Sequence, residues 1–200
     1  TLNFESLIYL PAIATPTNLS ILCYLGIDLF DFGFSQFAAN HSILLFPEGG
    51  LSQKNIQFNP CICPVCKSKD VQEMSVKDIE RHNFFMLSSE LKKVKNAILR
   101  GCLRELVEIR VRADPQLAAL LHILDVNHYE FFEKQIPLYR KIGIQATSSD
   151  ALWRPEVQRF QRRICEWYQK PSSAKILVLL PCSARKPYSR SKSHKKIHSY

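Results

Sequence analysis

A chain of 200 residues has room for one ordinary domain or two small ones, and 46% apolar against 22% charged residues excludes a disordered polypeptide. A formal net charge of +9 favours a polyanionic partner, nucleic acid ahead of an anionic membrane surface. No apolar run reaches bilayer-spanning length and no signal peptide opens the chain, so a cytoplasmic protein with no membrane partner is expected.

Taken in order, residues 7–10 read as a short buried strand closed by Pro11. Thr15-Pro16 offers an N-cap followed by proline at the first helical position, and a helix through Leu19, Leu22, Cys23 and Leu25 runs to Gly26. Ile27–Asp31 is the next strand, which completes a strand–helix–strand unit of the parallel α/β kind. Asp31 then falls at a strand's carboxyl end, where α/β barrels keep catalytic groups; the plainer reading is a capping aspartate. Ser42–Phe46 and the segment from Leu51, joined by Pro47-Glu48-Gly49-Gly50, predict a hairpin.

Apolar residues Leu87, Leu91, Val94 and Ile98 recur at three- and four-residue steps and predict a helix from His82 to Leu99, ended by Gly101. Further helices carry Leu103–Ile109, Leu117–Leu124 and His128–Phe132, and residues 146–150 read as a linker. Pro155 opens another helix, expected to turn Val157, Phe160, Ile164 and Trp167 inward and Arg159, Arg162 and Arg163 outward. An apolar run, Lys175–Leu180, predicts a final strand emptying into a loop with Cys182, Lys186, Tyr188, Ser191 and His194. From Ser183 onward there are basic residues (Arg185, Lys186, Arg190, Lys192, Lys195, Lys196) and no acidic one. With so little sequence after the strand, and Thr1 in first place, the chain reads as a piece of a longer protein.

Seven cysteines are an odd number, and three crowd into Cys61-x-Cys63-x-x-Cys66, a spacing poor for disulfides and good for tetrahedral zinc. The fourth ligand must come from elsewhere; His82 at a helix start is the first candidate and His41 the second. A redox pair within Cys63-Pro64-Val65-Cys66 is the competing reading, though it lacks a thioredoxin-like strand before it.

These residues, in this order, resemble the tRNA-guanine transglycosylases: Gly26-Ile27-Asp28-Leu29-Phe30-Asp31, the three cysteines, and His82-Asn83 opening a helix, with Glu105-Leu106-Val107-Glu108-x-Arg110 similar to the archaeal branch. The resemblance implies a (β/α) barrel fold, a structural Zn2+ on Cys61, Cys63, Cys66 and His82, tRNA as partner, a homodimer, and Asp31 at the place of the base-exchange nucleophile. Phe32–Phe37 has neither the proline nor the arginine of the family's Leu-Pro-Thr-Arg loop, which makes Asp31 a relic nucleophile. Pro181-Cys182-x-x-x-Lys186-Pro187-Tyr188-x-x-Ser191-x-x-His194 resembles the signature of the archaeosine synthases, transglycosylase relatives without base exchange. That resemblance implies addition of an amino donor, lysine or glutamine, to the nitrile of 7-cyano-7-deazaguanine in tRNA, with a radical-SAM enzyme as a further partner.

The expected fold class is α/β: a barrel remnant (1–60), a zinc-binding and helical subdomain (61–112), a helical linker (113–150) and the start of a second α/β domain (151–200). The expected chemistry is a Cys182 thiolate adding to a nitrile, with Lys186, Tyr188, Ser191 and His194 around it. Arg159, Arg162, Arg163, Arg185, Arg190, Lys192, Lys195 and Lys196 are the expected RNA contacts. The plainer alternatives are a Cys182 packed beneath a sheet and a non-catalytic tRNA-binding module. An active transglycosylase using Asp31 is the third.

Overall fold

In the computed structural model the described residues are 6–180, 182 and 188–199. Two units separate along the chain, Thr1–Gln161 and Arg162–Tyr200. Strand β1 (Tyr9–Leu10) pairs in parallel with β2 (Leu29–Phe30) across helix α1 (Leu19–Tyr24), in the register Tyr9↔Leu29 and Leu10↔Phe30. The expected strand–helix–strand unit is therefore present, but among the described residues its sheet has two strands. With no second neighbour to cover it, β1 is not the buried strand expected: Tyr9 is 53% exposed. Ahead of helix α1, Thr15 and Asn18 exchange hydrogen bonds as a cap does, Asn18 Oδ1 accepting from the Thr15 amide and Thr15 Oγ1 from that of Asn18, and the Leu19 amide donates to the Thr15 carbonyl (3.0 Å). Gly26 ends α1 at φ +91°, a left-handed conformation that only glycine adopts without strain.

After β2 comes a helix the sequence reading did not include, α2 (Gly33–Asn40), which packs along a long later helix. The hairpin then forms as expected, from β3 (Ile43–Phe46) and β4 (Gly49–Ser52), with Pro47-Glu48 as a two-residue turn and Phe46 opposite Gly49. Short helix α3 (Pro64–Ser68) carries Cys66. Helix α4 (Val76–Leu99) begins six residues before His82, because Ser75 and Asp78 close a reciprocal capping box. The Ser75-x-x-Asp78 spacing was available in the sequence as that signal. Gly101, at φ +67°, ends α4 as expected.

Helices α5 (Leu103–Val111), α6 (Pro115–Asn127) and α7 (Tyr129–Gln135) follow at the expected places. Asp114 caps α6, accepting from the Gln116 and Leu117 amides, with Pro115 at the first helical position. Three apolar clusters hold this unit: one under the hairpin and α3, one joining α1 to α5–α7, and one between α1 and α4. A buried charge cluster reinforces the second. The Arg104 guanidinium grips both oxygens of Asp125 (2.6 and 2.5 Å), bonds Glu108 (3.0 Å) and donates to the Tyr24 hydroxyl (3.1 Å).

Helix α8 (Pro155–Trp167) departs from the expected facing. Phe160 and Trp167 are 65% and 66% exposed and Ile164 is also exposed, whereas Arg159 is buried. The reason is the carboxyl end of α7. The Arg159 guanidinium donates to the carbonyls of Glu133 (2.6 Å), Ile136 (3.1 Å) and Pro137 (3.2 Å), groups left without intrahelical donors. Residues 175–180 are the second departure. They form no strand; among the described residues nothing pairs with them, and Ile176, Leu177 and Leu179 stand exposed. An apolar run becomes a strand only when a neighbour takes its amides and carbonyls. Helix α9 (Lys192–His198) closes the second unit, entered through a single turn at Tyr188–Arg190.

Candidate metal centre and thiol site

The metal donors are brought together from three stretches. Pro60 and Pro64 keep the cysteine loop out of helix until Cys63, whose sulfur accepts from the Cys66 amide as the cap of α3. Asn59 braces the same loop: its side chain donates to the carbonyls of Cys66 and Lys69 and accepts from the Val71 amide. The histidine arrives on α4, two turns in. Its Nε2 lies 3.3 Å from the Leu45 carbonyl on β3. A carbonyl only accepts, so Nε2 carries the hydrogen and Nδ1 presents its lone pair to the sulfurs.

Nδ1 of His82 lies 3.5 Å from Cys61 Sγ, 3.6 Å from Cys63 Sγ and 3.3 Å from Cys66 Sγ, and the Cys61 and Cys66 sulfurs are 3.3 Å apart. All four donor atoms lie within 4.8 Å of one another and could hold a metal ion. Burial pushes the Cys66 thiol up and the His82 imidazole down, so the histidine is neutral, as a ligand must be. His41 is not among the donors; it is exposed and its Nδ1 bonds the Phe37 carbonyl (2.8 Å). Asn83, the next residue on α4, locks the same corner: its Oδ1 accepts from the Leu45 amide and its Nδ2 donates to Ser35 and Ile43 carbonyls.

Asp31 sits at the end of β2 with both carboxylate oxygens engaged. Oδ2 accepts from the Tyr9 hydroxyl (2.6 Å), and Oδ1 from the amides of Ala12 (2.8 Å) and Gly33 (3.0 Å). These donors hold its carboxyl below the usual carboxylate range, the Tyr9 hydroxyl most of all. The arrangement fastens two strand ends and the start of α2.

In the second unit, Cys182 Sγ lies 3.2 Å from the Tyr188 hydroxyl, and the Tyr188 ring stacks at 4.7 Å, tilted by 35°, on the His194 imidazole. His194 and Ser191 are buried, and Cys182 is exposed. Ser191 precedes α9 and its hydroxyl lies 2.8 Å from that of Ser193. The hydrogen bond to the Cys182 sulfur pushes the Tyr188 hydroxyl up, which keeps it protonated. Pro181, Arg185, Lys186 and Pro187 lie outside the described residues.

Of the expected RNA contacts, Arg162, Arg190, Lys192, Lys195 and Lys196 are exposed, and Arg163 is half-buried with its guanidinium 4.9 Å over the Trp167 ring. Arg159 is corrected: its charge is inside, on the end of α7. The bracing residues Tyr9, Asn59 and Arg104 escaped the sequence reading: Tyr9 and Arg104 bond partners more than twenty residues away, and Asn59 bonds backbone groups that carry no sequence signal.

Comparison with known proteins places these features in a family. The family described as "Queuine tRNA-ribosyltransferase" matches residues 1–116, and a "Domain of unknown function (DUF5591)" matches residues 157–200. The archaeosine synthase subunit alpha of Methanosarcina acetivorans is 39% identical over 200 residues, covering 96% of this chain and 32% of that protein. The archaeosine synthase of Haloferax volcanii is 35% identical over 193 residues, covering 96% of this chain and 32% of its own length. The tRNA-guanine(15) transglycosylase of Korarchaeum cryptofilum is 33% identical over 160 residues, covering 76% of this chain and 27% of that protein. The chain thus spans about a third of the length of the archaeosine synthases it matches. No described helix is long and apolar enough to cross a membrane. The parallel strand unit, the hairpin and the three-cysteine, one-histidine corner all fall within residues 1–116, and the chain belongs to the queuine tRNA-ribosyltransferase family.

Proposed function

We propose that this chain is part of an archaeosine synthase. Such an enzyme adds an amino donor, lysine or glutamine, to the nitrile of 7-cyano-7-deazaguanine at position 15 of archaeal tRNA. The observation that carries the reading is the contact of Cys182 Sγ with the Tyr188 hydroxyl, within a segment that matches archaeosine synthases along nearly the whole chain. Cytoplasmic tRNA is then the macromolecular substrate, a radical-SAM enzyme the downstream partner, and the first unit the scaffold, a piece of a transglycosylase-type barrel.

In the proposed step, Cys182 sulfur attacks the nitrile carbon. A C–S bond forms, one C–N π bond breaks, and the nitrogen takes a proton from Tyr188 while Tyr188 takes the thiol proton. The donor amine next adds to the thioimidate carbon. It gives up one proton, which returns through Tyr188 to sulfur as the C–S bond breaks, and the amidine remains. Protons and electrons balance with no outside oxidant or reductant. His194 orients the Tyr188 ring, and Lys186, four residues after Cys182 in the sequence, is a further basic group of the motif.

The metal in the first unit is proposed to be zinc. Tetrahedral sites with Zn–S bonds of ~2.3 Å place their sulfurs ~3.8 Å apart, close to the separations of these donors. A site with four protein ligands is closed, so zinc here would hold the cysteine loop against the hairpin and α4 and would not react.

The test is lysine or glutamine incorporation into nitrile-bearing tRNA by the whole protein, read by nucleoside mass spectrometry. Cys182→Ser is expected to lower incorporation at least ~100-fold, and Tyr188→Phe ~10²-fold or more. Near-normal turnover by Cys182→Ser would overturn the nucleophile assignment. Base exchange into unmodified tRNA, abolished by Asp31→Ala, would instead reveal a transglycosylase.

A further inference from the structure

The outer face of α4 has no role in either site, yet its chemistry is organised. The chain from Arg81 to Arg100 contains one acidic residue, Glu90. That carboxylate is buried and bound by Arg110 (2.5 and 3.1 Å) and Lys93 (3.0 Å). Arg81, Lys92, Lys95 and Arg100 are all exposed, so this stretch shows water positive charge with nothing opposing it. The two acids just before it do not change that sign: Asp78 is held by Lys69 (2.7 Å), and Glu80 sits half-buried at the flank. Helix α2, which packs beside α4, contains no charged residue.

An aromatic platform lies on the same face. Phe84, one turn after Arg81, is 46% exposed and stacks on Phe32, which is 41% exposed, with ring centroids 4.6 Å apart. Two neighbouring phenylalanines that leave nearly half their surface in water are not there to fill a core. From Phe84 the helix carries Lys92 about 12 Å and Lys95 about 16 Å along its axis, both within about a quarter turn of the ring. A ring platform continued by a cationic track is the combination that holds unpaired nucleic acid, with a base stacked on the ring and phosphates following the charges.

We propose that the outer face of α4 binds an unpaired stretch of the tRNA substrate, with a base on Phe84 and Phe32 and the adjoining backbone along Lys92 and Lys95. A polyanion suits a chain of net charge +9 better than a protein partner does, since a second copy would bring the same positive stripe against itself. The proposal rests on tRNA as substrate and is independent of the Cys182 chemistry, so binding and turnover separate the two.

The measurement is the affinity of the whole protein for an unmodified tRNA transcript across a salt series, beside a blunt RNA duplex of similar charge. Lys92→Ala/Lys95→Ala is expected to weaken tRNA binding and to make the log–log salt slope shallower by about 1.4, two lost phosphate contacts at ~0.7 each. Phe84→Ala is expected to weaken tRNA binding roughly 5- to 100-fold without changing the slope or duplex binding, and Phe84→Trp to restore it. Unchanged melting temperature and metal content show that each variant is folded. Folded variants with wild-type affinity and slope would overturn the proposal. So would variants that keep tRNA binding but change the sedimentation coefficient, which would assign the face to a second copy of the chain.

Discussion

Three donors converge on the Asp31 carboxylate: the Tyr9 hydroxyl and the amides of Ala12 and Gly33. These bonds favour a carboxylate that stays put. The linkage has a definite sign. The folded pKa is lowered from an unfolded value near 3.8, so the stabilisation is complete above that pH and is lost as pH falls below it. Asp31→Asn is therefore expected to flatten the fall in melting temperature between about pH 4 and pH 2, where the free carboxyl of an unfolded chain titrates. Parallel curves for the two proteins in thermal melts would count against the cap. Tyr188 shows the same logic with the opposite result. Its hydroxyl is held to a sulfur and its ring to an imidazole, and the proposed reaction uses that contact to position a proton.

At the scale of elements, α8 shows why periodicity misleads. Val157, Phe160, Ile164 and Trp167 form a regular apolar stripe, yet three of the four are exposed, and the buried members of the helix are Pro155 and Arg159. A helix end leaves carbonyls without donors, and one arginine fork supplies three at once. Arg159→Ala is expected to cost about 2–3 kcal/mol by removing a buried charged donor from several acceptors. Arg159→Lys should recover only part, since an ammonium cannot span the same acceptors. Urea unfolding checks both; a loss below ~0.5 kcal/mol, the range of surface changes, would refute the clamp. The run 175–180 teaches the complementary lesson. Its residues have strand propensity, but propensity supplies no partner, and a strand is a relation between two segments. By contrast α4, α6 and the hairpin formed where their local signals stood, because the Ser75/Asp78 box, the Asp114-Pro115 cap and the Pro47-Glu48 turn act within a few residues.

At the scale of the whole molecule, separate apolar clusters divide the work. One lies under the hairpin, α3 and the start of α4, next to the four metal donors; another ties α1 to α5–α7 around Arg104. Removing the metal with a chelator is therefore expected to act unevenly. Hydrogen exchange should speed up first in β3, β4, α3 and the first turns of α4, while amides of α5–α7 stay protected. Uniform loss of protection would show that the clusters unfold as one.

The sequence alone determined what depends on residue type and short spacing: the three thiolates, the helix caps, the hairpin turn, the positive charge, and the Cys182 to His194 motif. Resemblance extended this to a family, which the match over residues 1–116 bears out. Only the tertiary structure decided what depends on distant partners. It turned Nδ1 of His82 and not His41 towards the sulfurs, by bonding Nε2 to a carbonyl 37 residues away in the chain. It tied down Asp31 with a hydroxyl 22 residues away and drew Arg159 inward to a neighbouring helix end. It also left the apolar run 175–180 without a strand partner among the described residues. Local chemistry is written in neighbouring residues, whereas a hydrogen bond between distant segments exists only once packing has brought them within 3 Å or so of each other.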